Sequence, residues 1–251
     1  MADSTQRFSI RAEAYSRYRP TYPREVLELL QKECGLGVSS TVADIGSGTG
    51  LLAELLLHSG CEVIAVEPNR EMREAGQRYL AGRTRFRGVD GRAEATSLPD
   101  HSVDFVTAAQ AFHWFDPTLV RVEFARILKP EGWLVLTWNE RTHAETGFQA
   151  DYDAITLRFA PDFTRALEEN IDIAFGGRVW QLRRFPNQQR LDREGLVGRL
   201  SSTSYAPAPG TPDHDTMEHE LDRLFDRHQQ DGIVTLVYET SVYYGRPAKI
   251  Q

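Results

Sequence analysis

Cysteine is nearly absent: Cys34 and Cys61 are the only two in 251 residues. Two cysteines cannot frame a disulfide-stapled fold, and they cannot supply a four-cysteine zinc site. A reducing, cytoplasmic setting is the expectation. Lysine is also scarce. Of the 29 basic residues only three are lysines (Lys32, Lys129 and Lys249), a skew read as coding bias rather than mechanism. Long apolar runs are missing, so no bilayer-spanning helix is expected. The stretch Met1 to Ile10 is polar and lacks the apolar core of a secretory signal. Internal repeats and low-complexity tracts are missing too. Net charge is -7, and that surplus of acid argues against a nucleic-acid partner, whose phosphates need a basic surface. What remains is ordinary globular composition, 41% hydrophobic and 26% charged.

The chain then reads as alternating strands and helices. Pro20 and Pro23 stop any helix from running through the N-terminal stretch, and an amphipathic helix follows to Gly35. Strands are predicted at 41–45, 61–66, 85–89, 103–109 and 133–138, with helices at 51–58, 70–80 and 119–128 between them. This predicts a parallel sheet with helices on both faces. After residue 140 the alternation stops. Residues 145–175 read as helical, 182–191 as an edge strand because Pro186 interrupts it, 192–202 and 214–230 as helices, and 233–244 as a last strand rich in Val, Thr and Tyr. The expectation is an α/β fold, a Rossmann-like seven-stranded sheet whose last strand is antiparallel, in one domain spanning 1–251. Within it, 1–23 form a lid, 24–140 a ligand-binding core, 141–231 a mostly helical cap insertion with an edge strand, and 232–251 the final strand.

The first strand runs into Asp44-Ile45-Gly46-Ser47-Gly48-Thr49-Gly50. Strand, glycine turn and helix let a backbone approach a nucleotide-like ligand and offer it the helix N-terminus. The spacing is G-x-G-x-G. A dinucleotide fingerprint places a further glycine at 51, which is Leu51 here, and a phosphate-binding loop carries a lysine that is missing. Asp44 repels a pyrophosphate and favours a cationic ligand. Glu67, at the end of the second strand, suits the two hydroxyls of a ribose.

These residues resemble the first motifs of class I S-adenosylmethionine-dependent methyltransferases, in particular the methyltransferase type 11 family. Glu67-Pro68-Asn69 resembles the ribose-binding motif, and Met72 matches a position that lies against adenine. Gly91-Arg92-Ala93-Glu94 and Leu128-Lys129-Pro130-Glu131-Gly132 resemble the motifs around the fourth and fifth strands. The resemblance covers residues 40–139. It implies S-adenosyl-L-methionine as cofactor, held by Asp44, Gly46, Ser47, Gly48, Gly50, Glu67, Pro68, Met72, Ala93, Glu94, Ala109 and Gln110. Many relatives carry Asp where this chain has Arg92, which shifts adenine recognition to Ala93 or Glu94. By the same resemblance Tyr15 and Arg19 belong to a lid over the cofactor, and the loop Ala109–Asp116 passes the methyl-donor end. His113 is the candidate proton acceptor there and Trp114 an apolar wall.

The activity implied is methyl transfer to a small, polar or anionic molecule, with no nucleic-acid or membrane partner. Oligomeric state is left open. Two alternatives stand beside it: an NAD(P)-dependent oxidoreductase, and a module that binds S-adenosylmethionine without catalysis. No metal site is expected. His214, His219 and His228 are spaced unlike ligands on one helix face and read as solvated surface.

Overall fold

The computed structural model describes residues 16–159, 168–203 and 205–248. Tyr15 lies outside them. Within them, β-branched and small apolar residues make five strands that enter the sheet in parallel: β1 (Thr41–Ile45), β2 (Glu62–Val66), β3 (Phe86–Val89), β4 (Val103–Ala109) and β5 (Leu128–Arg141). The intervening helices are α1 (Arg24–Cys34, ahead of β1), α2 (Leu51–Leu57), α3 (Arg70–Tyr79) and α4 (Pro117–Ile127). Each of the later two starts where its sequence supplies a cap. Asn69 accepts from the Met72 amide, and Asp116 accepts from Thr118 and Leu119 with Pro117 in the first turn.

Beyond β5 come α5 (Phe148–Phe159), α6 (Glu168–Phe175), β6 (Gln181–Leu191), α7 (Arg193–Ser201), α8 (Pro212–His228) and β7 (Val234–Gly245). The sheet order is β3-β2-β1-β4-β5-β7-β6. β7 runs antiparallel between β5 and β6, so the Rossmann-like sheet has seven strands with the last one antiparallel. β6 is the edge. Pro186 sits within it, where the missing N–H costs no interior ladder bond.

Two apolar clusters hold the sheet. Val26 and Leu30 of α1 and Leu52 and Leu56 of α2 cover Val42, Val63, Phe105 and Val135 on one face. Phe124 and Ile127 of α4 cover Ala43, Ile64, Val106 and Leu136 on the other. A third cluster stands beyond the sheet, where Tyr152, Leu196, Leu200, Met217, Leu221 and Phe225 pack with Leu236 and Tyr238 of β7. The stretch expected to be helical over 145–175 is two helices with different destinations. α5 joins this third cluster, whereas Ile171, Ala174 and Phe175 of α6 pack with α4 under the sheet. Residues 141–231 are therefore divided between cap, sheet edge and sheet face. No helix among the described residues is long and apolar enough to cross a membrane.

Candidate functional site

The carboxyl ends of β1, β2 and β4 surround a cleft. It lies where strands leave an open α/β sheet, the usual place for a ligand. Its floor is the glycine loop. Gly46, Gly48 and Gly50 all have left-handed φ, at 64°, 55° and 86°, which L side chains rarely adopt. The turn is pinned by the Gly46 and Ser47 amides, which donate to the Val66 carbonyl at 2.9 and 3.3 Å. A Cβ on Gly46 would lie 2.7 Å from Ala111 Cβ and 3.1 Å from the Phe115 ring. The loop therefore has space for backbone only, and the cleft owes its shape to that.

Two buried acids face this cleft with opposite surroundings. Glu67 is fixed through both oxygens. The Gly48 amide donates to Oε2 and the Asn69 amide to Oε1, both at 2.9 Å. Burial pushes this carboxyl up, and the two amide bonds oppose the rise. A carboxylate accepts about four hydrogen bonds, so each anchored oxygen keeps a lone pair for a ligand. Asp44, 1% exposed, takes one hydrogen bond from Thr107 Oγ1 at 2.8 Å. Its Oδ2 is buried and accepts none from the described residues. Burial pushes the Asp44 carboxyl up to about 7, against the Thr107 bond and with a further push from Glu67. A buried acceptor without a donor is costly, and a cationic ligand group would relieve it.

The far wall is aromatic. Phe112–Trp114 form a single 3₁₀ turn after β4. Phe112 turns inward, edge-on to Phe115 and Trp138 at centroid distances of 6.0 and 6.3 Å. Trp114 and Phe115 line the cleft with Tyr22 from the segment before α1. Trp114 also stacks on Tyr205 from the cap side, 6.1 Å between centroids and 25° between planes. Glu94 steadies this turn, since its Oε1 accepts from the Asp116 amide at 3.2 Å.

Residues 43–136 match the family described as a methyltransferase domain. Over those residues the chain is similar to that family. Over 139 residues it is 39% identical to an uncharacterised methyltransferase of Mycobacterium bovis, a match covering 55% of this chain. The match spans about half the length of that relative, 54%. A methyltransferase-like protein of Schizosaccharomyces pombe, also uncharacterised, is 29% identical over 94% of both chains. A phosphoethanolamine N-methyltransferase of Haemonchus contortus, solved with phosphomonomethylethanolamine and S-adenosylhomocysteine, shares the fold. Its TM-score is 0.60 at 15% identity, over 99% of this chain and 61% of its own.

The matched residues 43–136 supply every residue of the cleft lining except Tyr22. Asp44, Gly46, Ser47, Gly48, Glu67, Pro68, Met72, Ala93, Glu94, Ala109, Gln110 and Trp114 all lie in that lining, as the sequence anticipates. Gly50 does not. It is the N-cap of α2, and a Cβ there would meet Leu80 at 2.9 Å. His113 is also outside the lining, with its Nδ1 buried and its ring against Trp114 at 5.0 Å. Arg19 is turned to the cap, donating to the Ser202 carbonyl at 3.2 Å. Sequence reasoning missed Leu51 and Leu52, whose place in the wall comes from packing and leaves no spacing signal; Tyr22 lies in the segment expected as a lid, and Ala111 and Phe115 lie in the aromatic loop already singled out.

Of the three histidines of α8, His219 is exposed as expected, while His214 and His228 depart from the expectation of solvated surface. His214 is buried at 7% exposure, and His228 Nε2 pairs with Asp151 Oδ2 at 2.8 Å. Spacing explains it: His214 continues the face of α8 that buries Met217, Leu221, Leu224 and Phe225. His214, Asp215 and Glu218 bring ligand-type atoms within 4.8 Å of one another, and none of the three lines the cleft.

Proposed function

We propose that the protein is an S-adenosylmethionine-dependent methyltransferase acting on a small polar or anionic molecule. The observation that carries this is Glu67, held by two backbone amides with lone pairs left for a ribose diol. The residues present fit the cofactor. Gly46 lets Ala111 and the Phe115 ring close on the loop that floors the cleft, and the undonated Asp44 Oδ2 suits a positively charged group. Met72 and Ala93 give the adenine end an apolar lining. Bound there, S-adenosylmethionine supplies a methyl group activated by a sulfonium.

The chain's own work is then binding and orientation. Glu67 fixes the sugar, Asp44 the cationic end, and the wall of Tyr22, Trp114 and Phe115 keeps water from the donor. The methyl acceptor's electron pair displaces a neutral thioether, so no leaving-group acid is required. A carboxylate acceptor needs no base either, which agrees with a lining free of histidine. The anionic part of the reading draws on Arg19, whose guanidinium lies at the seam between the N-terminal segment and the end of α7.

Calorimetry with S-adenosylmethionine and with NADH tests the cofactor. Binding of the first alone is expected, and NADH binding would favour the oxidoreductase alternative. Labelled methyl donor with a panel of small carboxylic acids, tRNA and protein tests the acceptor. Label in small acids is expected, and label confined to macromolecules would defeat the reading. Binding without label transfer to any acceptor would favour the non-catalytic alternative.

A further inference from the structure

Residues 18–22 cross the open end of β5 and β6 with little backbone pairing of their own. Pro20 and Pro23 keep the segment extended and remove two N–H donors. Its carbonyls are taken instead by side-chain amides from the sheet. Gln189 Nε2 donates to the Tyr18 carbonyl at 2.9 Å. Asn187 Nδ2 donates to the Thr21 carbonyl at 2.8 Å. Asn139 Nδ2 reaches both Pro20 and Thr21, at 3.4 and 3.2 Å.

Asn139 has contacts on every side of this strap. Its Oδ1 accepts from Thr240 Oγ1 at 2.6 Å and from Asn187 at 3.2 Å. Those two bonds orient the amide so that its NH₂ faces the strap. Its backbone carbonyl accepts from Gln110 Nε2 at 3.0 Å. Gln110 lines the cleft at a positive φ of 54°, uncommon for a residue other than glycine. The residue following the two gripped carbonyls is Tyr22, which forms the cleft wall. One side chain thus ties the strap down, while the same residue's backbone ties down the cleft loop opposite it.

From this we infer that Asn139 is a positioning residue for cofactor retention: its amide clasps the 18–22 strap and so keeps Tyr22 against the cleft beside Gln110. The inference rests on the functional reading above. A strap held this way slows escape of a bound cofactor without touching it, and Asn187 is its second clasp.

The test compares wild type with Asn139→Asp and Asn187→Ala. A carboxylate at 139 still accepts from Thr240 and Asn187 but presents no donor to Pro20 and Thr21. S-adenosylmethionine affinity is read by calorimetry, and the strap by tryptic cleavage at Arg17–Tyr18 with and without cofactor. The expected result for Asn139→Asp is a Kd raised roughly fivefold or more, the scale of one lost hydrogen bond. Cofactor should protect Arg17–Tyr18 in wild type and fail to do so in Asn139→Asp. Asn187→Ala should shift both readouts the same way by less, which guards against a variant that misfolds. An unchanged Kd in both variants, with wild type binding normally, would overturn the inference alone. Faster cleavage with unchanged Kd would also overturn it, leaving only a structural strap. Wild type that binds no S-adenosylmethionine would overturn the functional reading, and this inference with it.

Discussion

Between β1 and β5 the chain alternates strand and helix, pairs in parallel, and buries its helices on the two faces of one sheet. Beyond residue 141 the alternation and the parallel pairing end, and only α6 still packs on a face of the sheet. Two long strands pair antiparallel, and α5, α7 and α8 bury an apolar cluster of their own beside β7. The cleft lining comes wholly from the first region, with Tyr22 just ahead of it. The second region approaches it where Tyr205 stacks on Trp114. Under the proposed function this separates two tasks. Donor binding belongs to a repetitive framework with one geometric solution. Acceptor choice belongs to the cap, whose helices are free to differ.

The comparison can be broken from its stronger side first. Gly46→Val should abolish measurable S-adenosylmethionine binding and lower stability. Positive φ and a Cβ 2.7 Å from Ala111 each cost roughly 1–3 kcal/mol. Calorimetry and thermal denaturation check both effects, and retained affinity would mean the loop is no cradle. Glu67→Ala should raise the cofactor Kd by about 10- to 150-fold, roughly 1.5–3 kcal/mol for hydrogen bonds to a charged group.

A smaller effect concerns pH. With Asp44 lifted to about 7, the acid is protonated below that pH, and a cationic ligand must displace the proton. Affinity should therefore rise with pH up to 7, by at most about tenfold per unit, and level off above it. Titrations at pH 6, 7 and 8 check this, and Asp44→Asn should flatten the profile. A flat wild-type profile would place the ligand's charge elsewhere. The smallest effect should come from the cap. Tyr205→Ala should leave cofactor Kd within about twofold, while raising the acceptor KM by a factor of several, the worth of one aromatic pair. A large loss of cofactor affinity in that variant would mean the two regions share the donor site.

The parallel core was legible because its signals are local. A left-handed turn needs glycine, a strand end needs its acid, and an edge strand tolerates Pro186, all within a few residues. The glycine turn, Asp44 and Glu67 followed from those constraints, and the other cofactor candidates from the family resemblance. The wall was legible only in part. The aromatic loop after β4 was readable, but Ala111 and Phe115 close on Gly46 only once distant segments have packed. The fate of α6 was hidden for a related reason, since an apolar face declares that it will be buried but not against what. His214 is different, because its helical spacing to Met217 and Leu221 was there to be read. Testing the histidines against one another as metal ligands drew attention from their apolar neighbours.

The place of β7 in the sheet bears on how the protein is made. β6 has one strand partner, β7, and β7 is synthesised after α7 and α8. As the chain leaves the ribosome, β1 to β4 have their partners in hand once β5 is made, whereas β5 keeps one open edge and β6 emerges with none of its pairing, and must wait for β7. During that interval it presents a row of open N–H and C=O groups, the kind of template on which nascent chains associate. Arg183, Arg184 and Arg190 along it, with Pro186 at its middle, are the residues that keep such a waiting strand from recruiting the wrong neighbour.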